Sequence, residues 1–323
     1  QDISPQEIRA NQHVVDSIKV NSYRHTLDFI KQAQVIRGYY DFNDVDVDRY
    51  MIHGEKKQVF LSAREIDHKA ITPATWQNIH LFYTHGYGVI MSDPSTVTSQ
   101  GQPDFLMKDI PVTNTTDIPL DNPRIYFGEM VSDYVIVGTE TEEFDHPKGG
   151  ENETYRYTGD AGISLGFFNK LLYAIEEKEP KILISSLINE DSKIIRRRNV
   201  VARVKAIAPF LSYDEDPYLV IANGQVYWMI DAYTITNRYP NARTFGGINY
   251  IANSVKVTVD AYNGDVNFYL ADDKDPIAKS YNKIFGGLFQ DLTDMPQALR
   301  DHIKYPEDLF AIQTTVLEEY HVT

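Results

Sequence analysis

The sequence predicts an α+β fold, mainly antiparallel sheet with hairpins and flanking amphipathic helices, and three observations carry that prediction. Two Asn-Gly pairs, Asn223-Gly224 and Asn263-Gly264, stand between β-rich arms and have the chemistry of type I′ hairpin turns. Apolar residues recur at helical spacing over 22–36, 164–178 and 194–208. Strands and helices come in blocks, with neither regular βαβ alternation nor a repeat of fixed period. With 323 residues, 42% hydrophobic and 24% charged, the chain can fill a core of its own. It reads as a single soluble domain over 1–323, with a division into lobes 1–163 and 164–323 left open.

Each element follows from local chemistry. Ser4, Pro5 and Glu7 form a capping-box start for a first short helix. Leu27, Ile30 and Ala33 give a second helix its apolar stripe before Gly38 ends it. The period then switches to two: "VDVDRYMI" and "QVFLSA" read as strands joined around Gly54, and "ITPATWQNIHLFYTH" as a helix capped by Thr72. Residues 92–123 hold five of the fifteen prolines and read as loop. "RIYFGE" and "DYVIVGT" read as strands, and "EFDHPKGGENETYRYTGDAG" as a polar loop. Helix 164–178 should turn Leu165, Phe168, Leu172 and Ile175 inward, and helix 194–208 should do so with Val200, Val204 and Ile207. The hairpin arms around the Asn-Gly pairs should place Val220, Val226, Trp228, Val257, Val259 and Phe268 in the core, and helices close the chain at 276–285, 296–303 and 307–320.

Composition narrows function. No cysteine means no disulfide, thiol nucleophile or cysteine metal site. A net charge of −15 argues against a nucleic-acid partner, which would need a basic surface. The most apolar long window, 163–175, is too short to cross a bilayer and contains Asn169 and Lys170. The chain begins at Gln1 with no basic-then-apolar leader, as expected of a processed or excised piece.

"YYDFNDVDVDRY", "HLFYTHGYGV", "RIYFGE", "EFDHP", "IAPFLSYDEDPYLV", "NYIANSVKVTVDAYNGDVNFY" and "YPEDLF" run from about residue 36 almost to the end. Through them the chain resembles uncharacterised protein family 0182, UPF0182, large bacterial and archaeal multi-pass membrane proteins with a big extracytoplasmic region. The resemblance implies a place at the extracytoplasmic face of the cell membrane, as part of a longer protein without an established biochemical function. Its implied partners are membrane helices absent from this chain and, beyond them, other envelope proteins or lipids. Binding or scaffolding is the expected role; a carboxylate- or metal-assisted envelope hydrolase and a gating domain of a transporter are the alternatives.

Candidate site residues are few. Asp44, Asp46, Asp48 and Glu55 in "DVDVDRYMIHGE" approach the spacing of a calcium loop, but Arg49 stands where such a loop needs glycine and strand sequence follows. The reading preferred is a strand with Val45 and Val47 inward and the aspartates toward water. A looser cation site, calcium being the ion, would involve Asp41, Asn43, Asp44 or Asp46. No other cofactor and no catalytic set is expected. His80 and His85 lie five apart and do not share a helical face as a metal pair would, and the "GYG" after them suits a structural corner. Asp214, Glu215 and Asp216 with Asp231 could form a carboxylate pair, though Asp-x-Asp before proline is also turn chemistry. Arg196, Arg197 and Arg198 suit a solvated or acid-paired helix face better than a phosphate grip.

Overall fold

The computed structural model describes residues 23–240, 247–306, 309–310 and 312–314. The capped N-terminal helix expected from Ser4 and most of the 307–320 helix lie outside the described residues. The chain divides into two compact units, Gln1–Tyr126 with Asp133–Arg196, and Phe127–Ser132 with Arg197–Thr323. The lobe boundary left open at 163/164 has its counterpart at Arg196/Arg197, and a short segment near 130 crosses into the second unit. Both units are built mostly of antiparallel strands, with helices beside them, so the fold is α+β.

In the first unit, helix α1 (Tyr23–Gln34) buries Ile30 with Phe42 and Ile90 while Leu27 packs beside them, but the third residue of the expected stripe, Ala33, is exposed and Gln34 is buried in its place. Strand β1 (Tyr40–Asp41) leads into a hairpin of β2 (Asp46–Ile52) and β3 (Glu55–Ala63). His53 and Gly54 both take positive φ, 50° and 83°, at its two-residue turn, as a type I′ geometry requires. Strand β4 (Glu65–Ile66) pairs with β1, and a helical turn over 76–82, π-helical from Asn78 to Phe82, precedes β5 (Gly86–Tyr87). The Thr75 hydroxyl, not Thr72, accepts the Asn78 amide there.

The expected loop at 92–123 contains strand over 92–97, 103–108 and 113–114. Strands β6 (Val89–Val97), β7 (Pro103–Lys108) and β8 (Thr113–Asn114) extend the hairpin into a five-stranded sheet in the order β2-β3-β6-β7-β8. The prolines misled because each occupies a position where a sheet tolerates a missing N–H: Pro94 in a register shift, Pro103 at a strand start, Pro111 in a turn. Strand β9 (Arg124–Ile125) pairs with β5, and β10 (Val135–Val137) follows. The polar stretch read as loop is a hairpin of β11 (Glu143–Lys148) and β12 (Glu151–Tyr155), turning through Gly149-Gly150. Strand β13 (Ile163–Ser164), helices α2 (Phe167–Glu176) and α3 (Lys181–Ile184), and strand β14 (Lys193–Ile195) complete the unit; β14 lies between β10 and β13.

The second unit opens with α4 (Val200–Ile207), shorter than the helix expected over 194–208 and capped by the Asn199 side chain, which accepts the Ala202 amide at 3.0 Å. Val200 and Val204 are buried as expected, whereas Ile207 is exposed. Strands β15 (Ser212–Tyr213), β16 (Tyr218–Ala222), β17 (Gln225–Thr236), β18 (Tyr250–Asp260) and β19 (Val266–Leu270) make an antiparallel sheet around the long central β17. Helix α5 (Pro276–Ile284) returns the chain to β20 (Phe289–Asp291), which pairs parallel with β19, and α6 (Gln297–Arg300) follows. Val220, Val226, Trp228, Val257, Val259 and Phe268 are all buried, and Trp228 donates its indole N–H to the Phe127 carbonyl at 2.9 Å. Asn223-Gly224 forms the expected two-residue turn, with φ of 51° and 76°.

The second Asn-Gly pair differs. The loop joining β18 to β19 has five residues, and the Asp260 carboxylate organises it by accepting the amides of Tyr262 and Asn263 at 2.7 and 2.9 Å. Only Gly264 takes positive φ, and a Cβ there would come within 2.4 Å of the Phe127 ring.

Candidate functional site

Parity decides which side chains of residues 46–52 turn inward. Side chains alternate along β2, so Asp46 and Asp48 share a face with Tyr50 and Ile52, and that whole face is buried; Arg49 and Met51 point outward and Val47 is half-buried. The expected exposure of the aspartates therefore fails at Asp46 and Asp48, while Val45 packs against the Ile30 cluster and Val47 stays half-buried. The two large apolar residues at the end of the strand set its register and carry the aspartates in with them. Asp46 pairs with Leu61 while Glu55 pairs with Ile52 at the far end of the hairpin. Six residues separate those positions, about 20 Å along a strand, so these four carboxylates do not gather as a calcium loop would gather them. Asp41 is engaged elsewhere, 3.2 Å from the Lys31 amine and accepting the Phe42 amide at 2.8 Å.

The titratable groups of the first unit converge instead on β11. Glu143, Asp145 and His146 are buried there, in the stretch read as a polar loop. The Arg124 guanidinium on β9 holds Asp145 with two bonds, Nε to Oδ1 at 2.6 Å and Nη2 to Oδ2 at 2.8 Å. His85, fully buried just before β5, places Nε2 3.2 Å from Asp145 Oδ1 and Nδ1 2.8 Å from the Thr84 hydroxyl. Thr84 donates its proton to Glu143 Oε1 at 2.6 Å, and the Tyr126 hydroxyl donates to the same oxygen at 2.7 Å. His146 Nδ1 lies 3.0 Å from Asp145 Oδ2. Because the Thr84 hydroxyl gives its proton to Glu143, its oxygen is left to accept from His85 Nδ1.

Aromatic rings close the assembly. His85 stacks on Tyr126 with centroids 4.6 Å apart, and the Arg124 guanidinium lies 3.7 Å from the Tyr155 ring centre. Burial by itself would raise the Asp145 carboxyl, but the hydrogen bonds from His85 and Arg124 outweigh it and hold the group well below the usual carboxylate range. Every oxygen of the two carboxylates has a donor: the Tyr157 amide takes the last, Glu143 Oε2, at 2.8 Å. These are metal-ligand residue types, yet their lone pairs are spent on one another.

Backbone geometry fixes where His85 sits. The π-helical turn delivers Thr84 and His85 inward, and at Gly86 the chain passes so close to β4 that a Cβ would lie 2.3 Å from the Arg64 carbonyl. The "GYG" is thus a close structural corner. Arg64 is itself buried, donating to the carbonyls of Gln34 at 2.9 Å and Tyr87 at 3.0 Å, and burial lowers its guanidinium to about 10. His80 takes no part in the ionic cluster. Its ring stacks on Tyr134 with centroids 4.0 Å apart, and burial lowers its pKa.

The other candidates are engaged in the same way. Asp214 follows β15 and Asp231 lies on β17, joined through the Asp214 amide to the Asp231 carbonyl at 2.9 Å. Each carboxylate has its own partners: Tyr233 donates its hydroxyl to Asp214 at 2.8 Å, while the buried Lys256 amine and the Asn253 amide bind Asp231. Burial raises the Asp231 carboxyl, against the lowering effect of Lys256. Glu215 and Asp216 are exposed. The three arginines do not ride on a helix; they occupy the connection between β14 and α4. Arg196 bridges Glu176 and Glu177 of α2 at 2.6 Å each, and Arg198 is fully buried.

What sequence reasoning placed wrongly is the apolar face of α2. Its inner side carries Tyr173 and Ala174, packed with Leu165, Ile182 and Tyr134, while Lys170 donates to the Ile188 carbonyl at 3.0 Å. Leu165 is buried as expected, but Phe168, Leu172 and Ile175 point out, 82%, 54% and 69% exposed. Phe167, and Ile184 on α3, are exposed to 72% and 74%. The helix is oriented by its polar anchors, Lys170 and the Arg196 bridge, and by Tyr173, over which Arg196 lies at 5.0 Å. Beside α3, a groove of about 650 Å³ is lined by Trp76, Lys181, Ile184 and Leu187 among others.

The first unit of this α+β chain thus pairs its ionic groups inside while displaying Phe167, Phe168, Leu172, Ile175 and Ile184 outside. The chain belongs to the uncharacterised protein family UPF0182, whose family model matches residues 1–323. It is 56% identical over 321 residues to a UPF0182 protein of Clostridium botulinum, 54% to one of Clostridium kluyveri and 51% to one of Clostridium tetani. Each match covers 99% of this chain and 36% of the relative, so the chain spans little more than a third of the length of these proteins. No solved structure matches it. No described helix is long and apolar enough to cross a membrane.

Proposed function

We propose that this chain is a binding and scaffolding part of a larger membrane protein, working at the extracytoplasmic face of the cell membrane. In this reading the apolar ridge of α2 and α3 is the contact surface for the rest of the polypeptide or for its neighbours. The observation that carries the reading is the outward display of Phe167, Phe168, Leu172, Ile175 and Ile184 from a unit whose own core is complete without them. Monomeric soluble surfaces scatter such residues singly; a run on two adjacent helices marks a surface that something covers. Relatives nearly three times as long leave ample polypeptide to supply the cover.

A photo-crosslinking residue at position 168 of a full-length relative, in intact cells, tests this. We expect crosslinks from 168 and none from position 151 in the exposed β11–β12 turn. Equal, background crosslinking at both positions would refute it. The same reading expects no turnover of generic ester, phosphate or glycan substrates by this chain; saturable turnover abolished by Asp231→Asn would turn the argument toward an envelope hydrolase.

A further inference from the structure

We infer that the surface covering the α2–α3 ridge is the interface of a lipid bilayer, into which the ridge inserts lying flat; this rests on the binding role proposed above and names its partner. The first argument is shape. Side chains exposed to 82% and 72% stand nearly as free as in an extended peptide, so Phe168 and Phe167 project as a ridge, while Ile184, 74% exposed, stands at the rim of the groove beside α3. A surface shaped for a partner helix would shelter such anchors in a groove, whereas a ridge suits a deformable apolar medium.

The second argument is charge. The chain carries a net −15 and anionic surfaces should repel it, but the three acids at the end of α2, Glu176, Glu177 and Glu179, are matched in number by Arg196, Lys178 and Lys181. Arg196 holds Glu176 and Glu177, and Lys181 lies 3.8 Å from Glu179. Lys178 and Lys181, both exposed between α2 and the start of α3, have stems long enough to reach headgroup oxygens while the ridge is immersed, whereas Lys170 is held inside by the Ile188 carbonyl. The third argument is composition. Phe, Leu and Ile form the apolar side, and at its edge Trp76 lies with its ring 6.0 Å from the Lys181 amine, a pairing suited to the boundary between hydrocarbon and water. Ten residues of helix give α2 a length of about 15 Å, half a hydrocarbon core, so it fits parallel to the surface and does not span.

Flotation of the 323-residue chain with phosphatidylcholine vesicles, with and without phosphatidylglycerol, tests the inference. Because the chain has no cysteine, Phe168→Cys can carry an environment-sensitive dye at a unique position, with Glu151→Cys as the control. The expected result is co-flotation with both compositions, a blue shift at 168 and not at 151, and at least a tenfold loss of binding in Phe168→Asp/Leu172→Asp with an unchanged melting temperature. No flotation, or flotation that the double variant leaves intact, overturns the bilayer as partner. If vesicles are inert while light scattering shows a dimer that the double variant dissolves, the binding role stands and the partner is a second copy. A double variant indistinguishable in flotation, scattering and crosslinking overturns both.

Discussion

Strand β11 and helix α2 invert one another. β11 is written Glu-Phe-Asp-His-Pro-Lys and buries its first five residues; α2 is written with two phenylalanines, two leucines and an isoleucine and turns all five to the outside. What decides burial in each is whether the polar groups find partners. Glu143 and Asp145 go inside because Arg124, His85, Thr84, Tyr126 and the Tyr157 amide satisfy them, and α2 is turned outward because Lys170, Tyr173 and the Arg196 bridge claim its inner side. The first region is a polar core within the unit; the second is exposed apolar surface, which the proposal assigns to another molecule.

The contrast can be broken most forcefully at Asp145. Asp145→Ala leaves Arg124 and His85 without their shared carboxylate, and we expect a loss of about 3 kcal/mol or more in urea unfolding, as for one half of a buried ion pair. Next is Gly264→Val, which meets both a positive φ and the Phe127 ring and should cost about 2 kcal/mol, against about 1 kcal/mol for Gly54→Val, where φ is also positive but a Cβ would meet nothing within 4 Å. Equal melting temperatures for the two variants would show that the Phe127 contact carries nothing.

A pH titration sharpens the account of the polar core. The Asp145 carboxyl is held below its unfolded value, so its contribution is complete above the ordinary carboxylate pKa of about 4 and is lost as pH falls through and below it. Asp145→Asn should therefore show a flatter decline of stability on acidification than the parent chain. Parallel acid limbs in the two proteins would remove Asp145 as the source.

The local chemistry of turns and buried apolar runs was legible in the sequence, and long-range pairing was not. Asn223-Gly224, Leu27 and Ile30 of α1 and the six core residues of the second sheet follow from patterns within a few residues. The charges of β11 read as loop because their partners lie far away along the chain, Arg124 twenty-one residues and His85 sixty residues from Asp145. The face of β2 could have been read: Tyr50 and Ile52 have the parity of Asp46 and Asp48, and large apolar residues outrank valines in setting which side is buried. For α2 the periodicity located the helix and put Phe168, Leu172 and Ile175 on one stripe, with Leu165 falling outside it, but periodicity does not say whether a stripe faces the unit's own core or the outside.

The most direct test of that last distinction is the unfolding free energy of Phe168→Asp/Leu172→Asp, measured by urea denaturation of the 323-residue chain. If the ridge is surface reserved for another molecule, two buried-type residues can become charged with a change within about 0.5 kcal/mol, as for ordinary surface substitutions. A loss of about 2 kcal/mol or more would mean that Phe168 and Leu172 pack within the chain itself, and would contradict the account.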